Sequence, residues 1–190
     1  MQYLKDEVRN RIMTVAIKEF QDRGFLHASM RAIANNAGVA IGNVYRYFKN
    51  KEDLFNEIVE PVYKLFLGIE TIHKQEIYSF EEIVNDVMEV MKEYKSQLLI
   101  MVDKSTGTKY ANFKEEITAL AEKSIKDSIW PELQKKGIEV SDPFIFCVIA
   151  STFIEGLFII LRKCEEEETT KYLIRQLMIL FFDNLEKRFE

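Results

Sequence analysis

Apolar residues recur every three or four positions along most of this chain, and no stretch alternates apolar and polar residues as a strand would. The pattern predicts an all-α protein. Val8, Ile12, Val15, Ala16 and Phe20 share one face of a first helix over residues 3–23, and Gly24 stands where a left-handed cap would end it. Ser29 is placed to cap a short second helix to residue 36, with Met30, Ile33 and Ala34 turned inward. Ala37-Gly38-Val39 reads as a turn, followed by a third helix over 40–48 anchored by Val44 and Phe48. Asn50 then caps a fourth, with Asp53 suiting the dipole of its first turn. Leu54, Phe55 and Ile58 pack this helix back on the three before it. It is expected to reach residue 73, interrupted or bent by Pro61.

Further helices are predicted over 80–103 and 110–136, separated by a break at 104–108 that contains Gly107. Gly137 closes the second of them, and Pro131 is expected to kink it or to mark a separate short helix. Ser141-Asp142-Pro143 is a strong start signal. The last two helices follow over 143–163 and 166–188. Residues 177–182 are all apolar and encircle the final helix, and the helix before it is apolar around its whole circumference. One chain's core is not enough to cover both. The expectation is a homodimer in which these two helices meet the same pair of a second copy, through Phe146, Ile149, Phe153, Leu177, Phe181, Phe182 and Leu185.

Composition narrows the class. Hydrophobic residues make up 47% of the 190, enough for a sizeable core, and three prolines and seven glycines are few. The apolar run 144–161 approaches membrane-spanning length. Glu155 lies within it, however, and a carboxylate near mid-bilayer costs about 2.5–3.5 kcal/mol on insertion scales. A helix of a soluble bundle is the better reading. No basic-apolar-small leader opens the sequence, so a cytoplasmic protein is expected. Cys147 and Cys164 match no metal spacing and are expected to be free, packed thiols.

Charge is unevenly divided. The chain carries a net −5, yet residues 1–51 hold nine Lys/Arg against four Asp/Glu and the remainder 17 against 27. A basic head on an acidic body confines any polyanion contact to the N-terminus. Residues 38–51 then read as the second half of a helix-turn-helix, a glycine turn leading into a short helix that carries Asn43, Tyr45, Arg46 and Tyr47. Those side chains suit base edges and phosphate oxygens.

Other chemistry finds little support. Gly107-Thr108-Lys109 lacks the upstream glycine of a phosphate loop, and the carboxylates of Glu165 to Glu168 point around a helix start rather than converge on a metal. His27 and His73 have no second ligand at helical spacing, and no nucleophile–base arrangement can be defended. No metal, cofactor or enzymatic activity is expected. Glu155 is expected to pair with Arg162 or Arg175, to face the dimer seam, or to meet a polar group of a ligand.

With the head in view, residues 8–58 resemble the DNA-binding domain of the TetR family of bacterial transcriptional regulators. The resemblance is carried by Ala16, Phe20 and Gly24, by Ser29-Met30-Arg31-Ala32-Ile33-Ala34 and Ala37-Gly38-Val39, and by the run from Gly42 to Phe55. It implies a DNA-binding domain over 1–52 and a divergent helical effector-binding and dimerisation domain over 53–190. Arg31 can reach a guanine edge or a phosphate, Asn43 can discriminate a base, and Ile41 can contact a thymine methyl. Gly42 would let the backbone approach the groove wall. Tyr45 and Tyr47 are expected on phosphates, with ordinary packing as the alternative. Arg46 is either on a phosphate or solvated, and Ser29 and Lys51 add backbone anchoring. Ala40 and Ile41 depart from the Ser or Thr and the Lys common in the family, so the operator sequence is left open.

The implied protein is a homodimeric repressor released from a palindromic operator by a small apolar or amphipathic effector. Tyr63, Phe66, Met91, Tyr94, Met101, Phe113, Trp130, Phe153, Glu155 and Phe158 are the candidate lining of its pocket. Two rivals stand beside it: an architectural or cell-division factor that senses no effector, and a helical enzyme or carrier with a vestigial head.

Overall fold

The computed structural model describes residues 2–72 and 80–189. His73, considered above as a metal ligand, lies outside them. Among the described residues the chain is all-α: eight helices in the order α1 (Gln2–His27), α2 (Met30–Asn36), α3 (Ile41–Tyr47), α4 (Lys51–Ile72), α5 (Phe80–Lys104), α6 (Phe113–Lys136), α7 (Phe144–Lys163) and α8 (Glu167–Phe182). A 3-10 turn, Leu185–Phe189, closes it. The helices build two compact units.

The first unit holds α1 to α3, α4 as far as Ile69, and the segment Tyr94–Phe113. It therefore reaches well past residue 52, because α4 and the end of α5 share the head's core. Ile12, Ala16 and Phe20 of α1 are fully buried, as are Val44, Phe48, Leu54 and Phe55. Phe20 and Phe25 both present rings to Phe55, at 5.0 and 5.2 Å between centroids, and Phe55 in turn faces Tyr110 at 6.2 Å. Gly24 takes a left-handed φ of 69° as expected, but it kinks α1 rather than ending it, and a last turn continues to His27. Ala28 N–H still donates to the Gly24 carbonyl at 3.0 Å, which is why the chain re-enters helix after the kink.

Helix starts follow the capping residues. Ser29 Oγ accepts from Ala32 N at 3.4 Å. Asn50 Oδ1 accepts from Asp53 N at 2.8 Å, and Asp53 Oδ2 returns the favour by accepting from Lys49 N at 2.9 Å. Pro61 lies inside α4, which runs on through it to Ile72. The break after α5 is a built turn. Ser105 Oγ donates to the Tyr110 carbonyl, Thr108 Oγ1 donates to the Ser105 carbonyl, and Gly107 sits at φ 88°.

The second unit holds the rest of α4, α5 as far as Glu93, and everything from Lys114 on. α5 is kinked at Tyr94, φ −127° and ψ 16°, at the boundary between the units. Ile125 and Leu133 of α6, Phe146 and Ala150 of α7, and Leu185 form one buried cluster. Pro131 lies within α6 without splitting it, and Gly137 closes that helix at φ 68°. Asp142 Oδ1 accepts from Phe144 N at 2.9 Å at the start of α7.

The final helix is shorter than its apolar pattern predicts. α8 ends at Phe182 instead of running to residue 188, because Asn184 turns left-handed at φ 50° and Arg188 folds back to donate to the Leu180 and Asp183 carbonyls. α7 is long and apolar enough to cross a membrane by length and composition, and only 28% of its apolar window is buried within the chain. Phe144, Val148 and Ile159 of α7 and Ile179 and Leu180 of α8 are exposed. The uncovered apolar surface expected of these helices is present, but two of the seven residues assigned to a subunit seam, Phe146 and Leu185, are buried in the chain's own core, while Ile149, Phe153, Leu177, Phe181 and Phe182 are half-buried.

Candidate nucleic-acid interface

α3 is a two-turn helix held by its inner side alone. Val44 is fully buried, and Phe48 just beyond the helix is likewise at 0% exposure. The opposite side is open: Ile41, Gly42, Asn43, Tyr45 and Arg46 are all exposed, Tyr45 at 50%. Tyr47 is half-buried, its ring 6.4 Å from that of Phe48. Ala40 precedes the helix in extended conformation and offers no side-chain cap, so only its carbonyl, accepting from Asn43 N at 2.8 Å, starts the ladder. Arg31 is exposed in the first turn of α2.

Two of the nine expected contact residues already have partners within the chain. Ser29 Oγ caps α2. Lys51 Nζ donates to the carbonyls of Leu26 and Ala28 at 3.0 and 3.1 Å and lies 4.7 Å from the centre of the Phe25 ring. Both therefore fix the α1–α2 junction. Glu19 was missed by sequence reasoning and does related work. It is 7% exposed, its Oε1 accepts from Ser29 N at 3.0 Å, and Arg23 stands 3.6 Å away. The only signal was an acidic residue beside Phe20 on a helix whose apolar face is otherwise continuous. Arg9, also missed, pairs with Glu57 and lies over the Phe48 ring at 5.7 Å, tying α1 to α4 and to the end of α3.

Residues 12–58 match the description "Bacterial regulatory proteins, tetR family". They belong to the TetR family. The chain is 35% identical over 102 residues to the HTH-type transcriptional regulator AcrR of Shigella flexneri, covering 54% of this chain and 43% of that one. It is 29% identical over 89 residues to an HTH-type transcriptional regulator of Staphylococcus aureus strain USA300, covering 47% of this chain and 48% of the other. The chain thus spans less than half the length of these relatives. In fold the likeness extends further. NalD, the secondary repressor of the MexAB-OprM multidrug efflux pump in Pseudomonas aeruginosa, superposes at a TM-score of 0.52 over 91% of this chain and 95% of its own, at 21% identity. Beyond the matched head, the chain therefore shares the all-helical fold of that protein.

The ten residues expected to line an effector pocket divide evenly between the two units. In the first, Tyr63 and Phe66 both meet the Phe113 ring, at 5.9 and 5.2 Å, while Met101 is buried and Tyr94 sits at the α5 kink. The second holds Met91, Trp130, Phe153, Glu155 and Phe158. There Trp130 packs on Phe146 and Phe153 on Phe181 and Phe182. An open groove of about 620 Å³ is lined by Lys126, Asp127, Trp130, Pro131 and Pro143, so Trp130 alone of the ten borders it. Glu155 is held by Lys114 and by Arg162, the latter at 3.1 Å. The Lys114 hydrogen bond, with help from Arg162, keeps its carboxyl below the usual carboxylate range. Arg175 instead pairs with Glu81. Cys147 and Cys164 are half-buried, and neither forms a disulfide. Among the described residues no three His, Cys, Asp or Glu side chains converge as metal ligands would.

Proposed function

We propose that this chain is a DNA-binding transcriptional regulator, a repressor acting as a homodimer in the cytoplasm and released by a small apolar or amphipathic effector. The observation that carries the reading is α3: a helix anchored by Val44 that turns Ile41, Asn43, Tyr45 and Arg46 to solvent on a head richer in Lys and Arg than in Asp and Glu. Such a helix fits a major groove, with Asn43 reading a base edge, Ile41 a thymine methyl, and Tyr45, Tyr47, Arg46 and Arg31 the phosphates. Lys49 is exposed at the end of α3 and joins that phosphate set.

Dimerisation is supported by the exposed apolar residues of α7 and α8, among them Val148, Ile159 and Leu180. A pair of heads would then grip half-sites about 34–36 Å apart or a further turn away. The effector acts by binding a state whose heads miss that spacing, and a near-complete switch needs about 5.5 kcal/mol of preference for it.

Selection of duplexes from a random-sequence pool by the purified chain tests the reading. The expected result is a palindromic preferred site whose affinity falls steeply with salt. Recovery of no sequence above competitor, or of single unrepeated half-sites only, overturns it.

A further inference from the structure

The two ends of α3 are held unequally. At its start Ala40 gives no side-chain cap, only a carbonyl that accepts from Asn43 N at 2.8 Å. Its end is gripped from several sides. Phe48 N donates to the Val44 carbonyl at 3.0 Å, and Lys49 N donates to Asp53 Oδ2 in the first turn of α4 at 2.9 Å. The Phe48 ring is fully buried, with the Arg9 guanidinium of α1 5.7 Å from its centre. A seven-residue helix whose own buried residue is Val44 takes its direction from what holds its ends.

Arg9 is the meeting point of three elements. It belongs to α1, lies over the residue that ends α3, and pairs with Glu57 of α4. A guanidinium suits the place because it is flat: its face stacks on a ring while its edge donates to a carboxylate. The two charged side chains are 36% and 40% exposed, so the pair contributes little to stability. Its charge is answered within the chain, which makes it a poor phosphate ligand. What remains is geometry. At 1.5 Å per residue Ile41 stands about 10 Å from Phe48 along the axis, so a tilt of about 10° at that end moves it about 2 Å. A hydrogen bond to a base edge is lost over less than that.

Resting on the DNA-binding reading above, we propose that Arg9 is a positioning residue for base readout: held by Glu57, it fixes the Phe48 end of α3 and with it the angle at which Asn43 and Ile41 meet the major groove. Arg9 itself stays off the duplex. Sequence preference thus depends on a pair of residues outside the reading helix.

Arg9→Met and Glu57→Gln test this together, because they break the same pair while changing the charge of the head in opposite directions. Each is measured on the duplex that wild type selects from a random pool and on an unrelated duplex, well below its melting temperature, with circular dichroism confirming the helical content. Both variants are expected to lose about tenfold in the ratio of preferred to unrelated affinity, with the slope of log affinity against log salt as in wild type. Should Arg9→Met not fold, the nearly isosteric Glu57→Gln decides alone. A loss confined to Arg9→Met, with the slope reduced by about one, makes Arg9 a phosphate ligand and overturns the inference. Wild-type ratios in both variants overturn it too, because the pair would then serve folding alone, and they leave the DNA reading intact. Failure of wild type to select any duplex overturns both.

Discussion

Lys51 Nζ donates to the carbonyl oxygen of Leu26 at 3.0 Å, so the first residue of α4 caps the last turn of α1. The Ala28 carbonyl takes a second bond at 3.1 Å, and the Phe25 ring lies beneath the same ammonium. Carbonyls at a helix end lack partners within the helix and carry the negative end of its dipole, so a cation is favoured there. Lys51→Met keeps the stem and removes the charge. It is expected to lower stability by about 1–2 kcal/mol in urea titration. A phosphate ligand behaves differently, because losing one reduces the slope of log affinity against log salt by about one. An unchanged slope with a lower unfolding midpoint supports the clamp.

The DNA contacts proposed for the open side of α3 are expected to separate by role. Tyr45→Ala is expected to weaken binding to all duplexes alike, whereas Asn43→Ala costs about 1–3 kcal/mol on the preferred site and relaxes the preference at one base pair. Competition binding against single-base variants of the selected site distinguishes them. Identical profiles for both variants and wild type would remove the assigned roles.

Gly107 tests the turn that packs on the end of α1. A Cβ there would lie 2.6 Å from Leu26 Cδ2, but Leu26 is 55% exposed and its side chain can swing away. The left-handed φ of 88° cannot be relieved so easily. Gly107→Ala is therefore expected to destabilise by about 1–2 kcal/mol, and adding Leu26→Ala should not restore it. Recovery of wild-type stability in the double variant would assign the cost to the clash instead.

Phe146 and Leu180 predict opposite phenotypes. Phe146 is fully buried in the chain's own core, so Phe146→Ala is expected to cost about 3–5 kcal/mol in folding stability. Leu180 is 63% exposed on α8, so Leu180→Arg should leave the helical content intact and shift the molecular mass in solution from dimer toward monomer. Light scattering and circular dichroism read both. A monomeric wild type would refute these helices as a seam.

The Glu155 ion pairs carry a pH signature. Because its carboxyl is held below the usual value of 4.5, chiefly by Lys114, the pairing stabilises the fold above that value and is lost as pH falls through the depressed one. The side chain is 41% exposed, so solvent screening limits the contribution to about 1 kcal/mol or less. Glu155→Gln should melt below wild type at neutral pH, and the gap should close on acidification. A gap that persists in acid would place the effect in packing.

The same glutamate measures what was legible in advance. Arg162 stands seven residues ahead on the same helix, two turns away, and was foreseen as a partner. Lys114 was not, since it comes from another helix 41 residues back in the chain. Arg175 was foreseen as an alternative and goes to Glu81 instead. The final helix shows the same limit: its apolar pattern continues past Phe182, but the left-handed Asn184 and the returning Arg188 end it.

The sequence by itself determined the helices, most of their caps, and a head whose α3 side chains suit DNA. Those features rest on residues a few positions apart, where periodicity, capping and turn chemistry act. Tertiary structure alone decided which apolar residues of α7 and α8 stay bare, that Lys51 serves the α1–α2 junction, and that Glu19 joins it by accepting from Ser29 N. Each of those depends on what lies across from a side chain in space, which one-dimensional spacing does not contain.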